Sequence, residues 1–457
     1  MHIVTGEEQH RRMLHTPIPK LVASLAAPTV ATQLVSIAYN TADTYFVSQL
    51  STSASAAVGV VFSLMSIIHA LGFGIGMGCN SIISRSLGSR DQGRADTIAS
   101  SGFLLAFFVG LLITAVGLSV TAPLMRLLGS TDTILPYALD YARIILAAAP
   151  FMCAAFVLNN TLRAEGEASL AMIGLCTGAA LNIGLDPLLI FTFRMGIAGA
   201  ALATALSQLV SFLILLVIFL RGRSIVKLSA RCISRSFRDY WSILSTGFPT
   251  ICRQSFASLA TALLNNAAGV YGDAAVSAVT ISNKAYMIVR SVILGIGQGF
   301  QPIAGYNYGA GDRRRTRQAF TFSVLAGSVI CTVCAVLGAR FAPQVVGFFR
   351  SDPEVVAIGR TALLGAAAVM PFLAYSTYVN QLYQCLGFRL PAAILASCRQ
   401  GICFVPLILL LPRMLGLNGV VLSQPGADLL TFLVSVPFQI WFFRNKLRDD
   451  PRPPAAP

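Results

Sequence analysis

FLLAFFVGLLITAVGLSV, residues 103–120, carries no charged side chain. A helix of roughly 20 apolar residues spans the hydrocarbon core of a bilayer. LSQLVSFLILLVIFL, residues 206–220, is a second run of the same kind. Outward from these two, similar runs recur along the chain until twelve are counted, joined by short polar connections. The composition agrees: of 457 residues, 55% are hydrophobic and only 11% charged, against about 25% charged in a soluble domain. Twelve spans use most of the length and leave no room for a soluble catalytic domain. The expected fold class is an all-α integral membrane protein of twelve transmembrane helices.

The formal net charge of +15 raises the question of a nucleic-acid partner, and its distribution answers it. With the N-terminus assigned to the cytoplasm and sides alternating, most of the Lys and Arg fall on the cytoplasmic side. Arg85, Arg90, Arg94, the 221–238 segment, Arg313, Arg314, Arg315 and Arg317 all lie there. The opposite side keeps Arg126, Arg194, Arg340, Arg350 and Arg413. This is the positive-inside bias. It places both termini in the cytoplasm of a multi-pass protein of the cell inner membrane, bathed in lipid and with no nucleic-acid partner. The ten cysteines form no C-x-x-C pair, and most sit inside apolar runs as small buried thiols. The polar start MHIVTGEEQHRRMLHTPIPK has no apolar segment with a cleavage site, so no removable signal peptide is expected.

The chain repeats itself at an offset of 221 positions. Pro28-Thr29 falls on Pro249-Thr250, GIGMG at 74–78 on GIGQG at 295–299, and Gly88 and Asp91 on Gly309 and Asp312. Pro150 meets Pro371, Asn159 meets Asn380, and Gly166 meets Gly387. After one deletion, MGIAG at 195–199 meets LGLNG at 415–419. Each repeat holds six spans. An even number returns the chain to its starting side, so the two halves share one orientation and are related by a pseudo-twofold axis along the membrane normal. The expected organisation is an N-terminal tail (1–17), an N-lobe (18–221), a basic cytoplasmic linker (222–239), a C-lobe (240–443) and a C-terminal tail (444–457). Two lobes meeting at such an axis enclose a central cleft. Pro28 and Pro249 kink the first helix of each lobe and are read as hinges for gating. The glycine runs let helices approach closely.

Charges inside a span cost at least ~3 kcal/mol each at the bilayer centre, so the few that occur carry information. The acids are Asp43, in SIAYNTADTYFV, Asp186 and Asp428; the bases are Arg253, Lys284, Arg290 and Arg399. Asp186 ends NIGLDP, with Asn182 one turn earlier on the same helix face. Pro187 removes the amide that would bond the Ile183 carbonyl. Thr204 adds a hydroxyl from the next helix. With Asp43 these residues form a cluster of hard oxygens from three helices, suited to Na+ or to a proton shared between carboxyls. Asp428 is read as the structural ion partner of Arg399, Arg253 and Arg290 as interface anchors near helix ends. Lys284 either faces the cleft with Asn283 or snorkels to an interface. Asn159, Asn380 and Gln384 are candidate polar lining.

These motifs, in order, resemble the multidrug and toxic compound extrusion (MATE) family over nearly the whole chain. The resemblance rests on Pro28 with YNTADTYFV, GMGCNSIISRSLGSRD, LRAEGEASLAMI, NIGLDPLLIF and GIGQGFQPIAGYNYGAGD. The Y-N-x-x-D and N-x-x-x-D-P pair is similar to its DinF-like branch, whose N-lobe holds the coupling-ion site. The resemblance assigns that site to Asp43, Asn182, Asp186 and Thr204, and cavity-lining roles to Tyr39, Asn40, Tyr141 and Asn159. It implies the MATE fold and a secondary active antiporter without a cofactor. Such a protein exports amphipathic, often cationic, drug-like compounds in exchange for H+ or Na+, by alternating access, and is expected to act as a monomer.

The rival within the wider superfamily is a flippase for a lipid-linked sugar or polysaccharide, with the basic C-lobe residues holding a pyrophosphate. An enzyme is not expected: of four histidines, His2, His10 and His15 lie in the N-terminal tail and only His69 in a span. No G-x-x-x-x-G-K run provides direct ATP coupling.

Overall fold

The computed structural model describes residues 5–350 and 352–447; the ends of both expected tails, 1–4 and 448–457, lie outside them. Among the described residues there are helices and turns and no strands. In chain order the α-helices are α1 (Gly6–His15), α2 (Ile18–Ser48), α3 (Thr52–Gly88), α4 (Gln92–Ser119), α5 (Thr121–Leu127), α6 (Leu135–Ala164), α7 (Ala168–Pro187) and α8 (Gly196–Leu220). They continue with α9 (Phe237–Gly269), α10 (Asp273–Gly309), α11 (Arg313–Arg340), α12 (Ala342–Phe349), α13 (Pro353–Cys385), α14 (Arg389–Ser397), α15 (Phe404–Leu415) and α16 (Leu417–Asn445). α14 and α15 act as one span joined by a π-helical turn.

Eleven helices among the described residues are long and apolar enough to cross a membrane. The twelfth expected span, α9, is 33 residues long. It falls short in apolarity because Arg253, Gln254, Asn265 and Asn266 interrupt it. The outward faces of α4 and α11 show why a bilayer is the solvent: Leu112, Val116, Leu325, Val333 and Val336 are all exposed.

The internal repeat is visible as paired hydrogen bonds. Asn159 Nδ2 donates to the Ala171 carbonyl at 2.8 Å, and Asn380 Nδ2 donates to the Ala392 carbonyl at 2.7 Å. Asp91 caps α4 through the Arg94 amide at 2.9 Å, and Asp312 caps α11 through the Arg315 amide at 2.8 Å. Each residue lies 221 positions from its counterpart. The halves form two six-helix lobes related by a pseudo-twofold axis.

The lobes meet where α2 packs on α10 and α3 packs on α9. The contact is reciprocal. A side chain at Gly88 would strike the Tyr306 carbonyl, and one at Gly309 would strike the Arg85 carbonyl. Gly78 lies likewise against Ile243, and Gly299 against Ala26 and Leu25. Only glycine lets helix backbones come this close. The seam occupies the face that carries α1 and the segment between α8 and α9. On that face α1 straps the lobes together. Gln9 Nε2 donates to the Glu165 carbonyl at 2.7 Å, His10 Nδ1 lies 3.0 Å from the Tyr306 hydroxyl, and Arg315 donates to the Thr16 carbonyl at 2.7 Å. Toward the opposite face the lobes part: in α2 burial is concentrated between Ile18 and Thr32, with Val47 the one buried residue beyond.

The segment between the lobes is docked through Glu165. Its carboxylate accepts from the Ser224 hydroxyl at 2.6 Å and from the amides of Ile225 at 3.0 Å and Val226 at 3.3 Å. Burial pushes Glu165 up to about 8 against the pull of these donors.

Two outcomes are expected. Overpacking a close helix contact costs about 1–3 kcal/mol, so G88A and G309A lower the melting temperature of the purified protein. G59A, where an added methyl meets open space, does not. Because the folded state raises the Glu165 pKa, its contribution is whole at acid pH and is lost as pH climbs through about 8. Melting temperatures across pH 5–9 therefore fall more steeply in the wild type than in E165Q; parallel curves contradict the assignment.

Candidate functional site

Asn182 and Asp186 stand one turn apart on α7, and both are buried. Asn182 Nδ2 lies 3.5 Å from Asp186 Oδ1 and 3.3 Å from Thr204 Oγ1 on α8. After Pro187, which has no amide to donate, the helix widens into a π turn over Leu188–Thr192, a distortion frequent at functional sites. Asp43 comes from α2, half-buried. Tyr141 of α6, buried, holds its hydroxyl within electrostatic reach of Asp43 and Asp186.

Three oxygens of this cluster lack a donor: Asp43 Oδ1, Asn182 Oδ1 and Asp186 Oδ2 are buried with no hydrogen-bond partner. A buried acceptor left unpaired costs about 1–3 kcal/mol, more when charged. A proton or a small hard cation satisfies such a set, and the donor chemistry (two carboxylates, an amide and a hydroxyl) fits either.

Beside the cluster lies a cleft of roughly 230 Å³. Tyr39, Asn40, Asn159, Asn182 and Thr204 line it; Asp43 and Asp186 do not, and Asp186 meets the wall through Asn182. Phe73 and Phe156 add apolar wall. Two further lining residues, without a role assigned from the sequence, bear on the chemistry. His69 of α3 lines the cleft with Nε2 unpartnered. Arg163 of α6 is buried and donates to Gln298 of α10, bridging the lobes at the cleft. The four-residue step from Asn159 to Arg163 on one helix face was the available signal for it.

The other candidates lie elsewhere. Asn283 borders a small cavity with Tyr286 and Asp428, and Lys284 on α10 is exposed. Asn380 lines a C-lobe pocket. Gln384 is buried and donates to Thr250 Oγ1 at 2.6 Å, tying α13 to α9 next to Pro249. Pro28 and Pro249 both sit inside unbroken helices. The Arg399–Asp428 pair forms at 2.6 Å. Tyr286 donates to Asp428 at 2.7 Å and accepts from Arg399 at 3.0 Å. Arg253 and Arg290 do not sit near helix ends as interface anchors. Each lies near the middle of its helix and turns into the C-lobe pocket, because a guanidinium in mid-span must face a polar cavity rather than lipid.

The family model MatE matches residues 28–188 and again 249–410. The chain belongs to the MatE family. Multidrug export protein MepA of Staphylococcus saprophyticus is 25% identical over 439 residues, covering 96% of this chain and 95% of the relative. MepA of Staphylococcus aureus is 25% identical over 445 residues, covering 97% and 98%. A crystal structure of MATE in a straight conformation superposes with a TM-score of 0.90 at 28% identity, covering 95% of this chain and 98% of that one. The bent conformation gives 0.89, covering 95% and 97%. An outward-facing multidrug resistance MATE transporter of the MOP superfamily also gives 0.89 at 28% identity, with the same coverage.

Removing one member of a buried ion pair costs about 3–5 kcal/mol, whereas replacing both with apolar residues is often near neutral. D428L alone is therefore expected to lower the melting temperature strongly, and R399M/D428L to recover most of the loss. Equal losses in both contradict a structural role for the pair.

Proposed function

We propose that this MatE-family membrane protein is a secondary active multidrug antiporter, exporting amphipathic, often cationic, compounds in exchange for H+ or Na+. The supporting observation is the trio of donorless buried oxygens on Asp43, Asn182 and Asp186, of which Asn182 itself lines an aromatic cleft. An ionised pair of acids behind the wall offsets the Arg163 and Arg253 charges that line the cleft and favours lipophilic cations beside Tyr39, Phe73 and Phe156. A cation entering at Asp43, Asn182, Asp186 and Thr204 cancels that field and releases the cargo. Tyr39, Asn40 and Asn159 are the residues expected to touch it. The full-length likeness to MepA favours export over the flipping of a lipid-linked sugar.

In this reading, residues 18–221 and 240–443 are the lobes, and Pro28 and Pro249 are where their first helices bend. A relative crystallised in straight and bent forms supports such bending. The protein works as a monomer in the inner-membrane lipid with both termini in the cytoplasm. The glycine seam then closes the cytoplasmic side, so that the cleft faces outward.

The test is drug resistance in a sensitive host. D43N and D186N are expected to drop resistance at least tenfold, to the vector level, and N182A and T204A to lower it partially. Unchanged resistance at normal membrane abundance contradicts the proposal.

A further inference from the structure

The twofold repeat builds the cavity wall twice, with different side chains at equivalent positions. Thr32, His69 and Asn159 line the central cleft on the N-lobe side. Their counterparts 221 positions later are Arg253, Arg290 and Asn380, and all three line the C-lobe pocket. Where the N-lobe has Asp43, the C-lobe has Leu264, and Asp186 maps to the apolar Pro406–Leu407 step. The N-lobe acids thus have no C-lobe counterpart, and two guanidinium groups stand where the N-lobe has Thr32 and His69.

Arg399 completes the basic set from the π turn between α14 and α15. The three guanidinium groups lie within electrostatic reach of one another. Among the described residues the one acid near them is Asp428, and it is taken: Arg399, Tyr286 and Gln424 hold it. Arg253 and Arg290 make no ion pair or hydrogen bond among the described residues. Two uncompensated charges in mid-membrane are expensive and mark a ligand path. Thr377 and Gln400 add further donors to the same wall. The pocket holds about 30 Å³, room for one small group rather than a whole drug. Arg253 and Leu294 line both this pocket and the central cleft, so a molecule seated in the cleft reaches the arginines.

We propose that Arg253 and Arg290 form an oxyanion subsite for the carboxylate or phosphate of an amphiphile whose apolar body occupies the central cleft. Arginine forks match both groups in a bidentate fashion. The protein is thereby equipped for zwitterionic or anionic ligands as well as cationic ones. This inference does not need ion-driven export to hold, because binding is read without a gradient.

The test uses the full-length protein in phosphatidylcholine nanodiscs, with rhodamine B and rhodamine B ethyl ester as probes. The two dyes share one cationic ring system, and only the first has a free carboxylate. Fluorescence anisotropy is expected to show R290Q, a change outside the lining of the central cleft, weakening rhodamine B at least tenfold while the ester moves less than twofold. Retained ester binding certifies the fold of the variant, and R253Q is expected to weaken rhodamine B relative to the ester by a similar factor. A second arm adds phosphatidylglycerol. If it displaces rhodamine B from the wild type, a lipid headgroup supplies the oxyanion; if it does not, a soluble amphiphile supplies it. Equal losses for both dyes, or no loss for rhodamine B, overturn the proposal.

Discussion

A carboxylate placed among hydrocarbon must find a proton, a cation or a hydrogen-bond donor. In the N-lobe the protein offers Asp43 and Asp186 almost none: Asn182 supplies one long contact to Asp186, and one oxygen of each acid has no partner. That shortfall makes the site responsive. An ion arriving there satisfies oxygens that the fold leaves wanting, and it does so one residue away from the cleft. The π turn after Pro187 and the packing of α7 on α8 and α2 set Asn182 in the cleft wall with Asp186 one turn behind it.

The same bilayer constraint shapes how the halves are joined. With lipid outside, helices gain little from burying leucine on leucine, and close backbone approach becomes the available glue. Hence the seam of Gly78, Gly88, Gly299 and Gly309 against facing backbone. It is narrow, lies at one face and is reinforced by α1. The prolines in α2 and α9 lie within this closed end, below the widening cleft.

Much of this was legible in the residues. Eleven of the twelve expected spans follow from apolar length, and the offset of 221 follows from Gly and Pro positions that the fold uses in the same register. Asn182 and Asp186 were legible because a helix turns every 3.6 residues. What escaped was set by neighbours in space. Arg253 and Arg290 read as helix-end anchors because their shared pocket exists only once α9, α10 and α13 assemble. Lys284 and Asn283, adjacent in sequence, point to different surroundings because successive helix positions lie about 100° apart. The bridge from Arg163 to Gln298 crosses the lobes, and no local spacing encodes it.

The central claim is that cation occupancy of the N-lobe acids sets how far the lobes open. Gln49 and Val270, at the outer ends of α2 and α9, are exposed and related by the repeat. Spin labels there, read by electron-electron resonance in nanodiscs, report the opening. The account predicts a distance distribution that shifts when protons or Na+ are added, and a distribution frozen in D43N/D186N. A single distance, indifferent to either ion in the wild type, contradicts it.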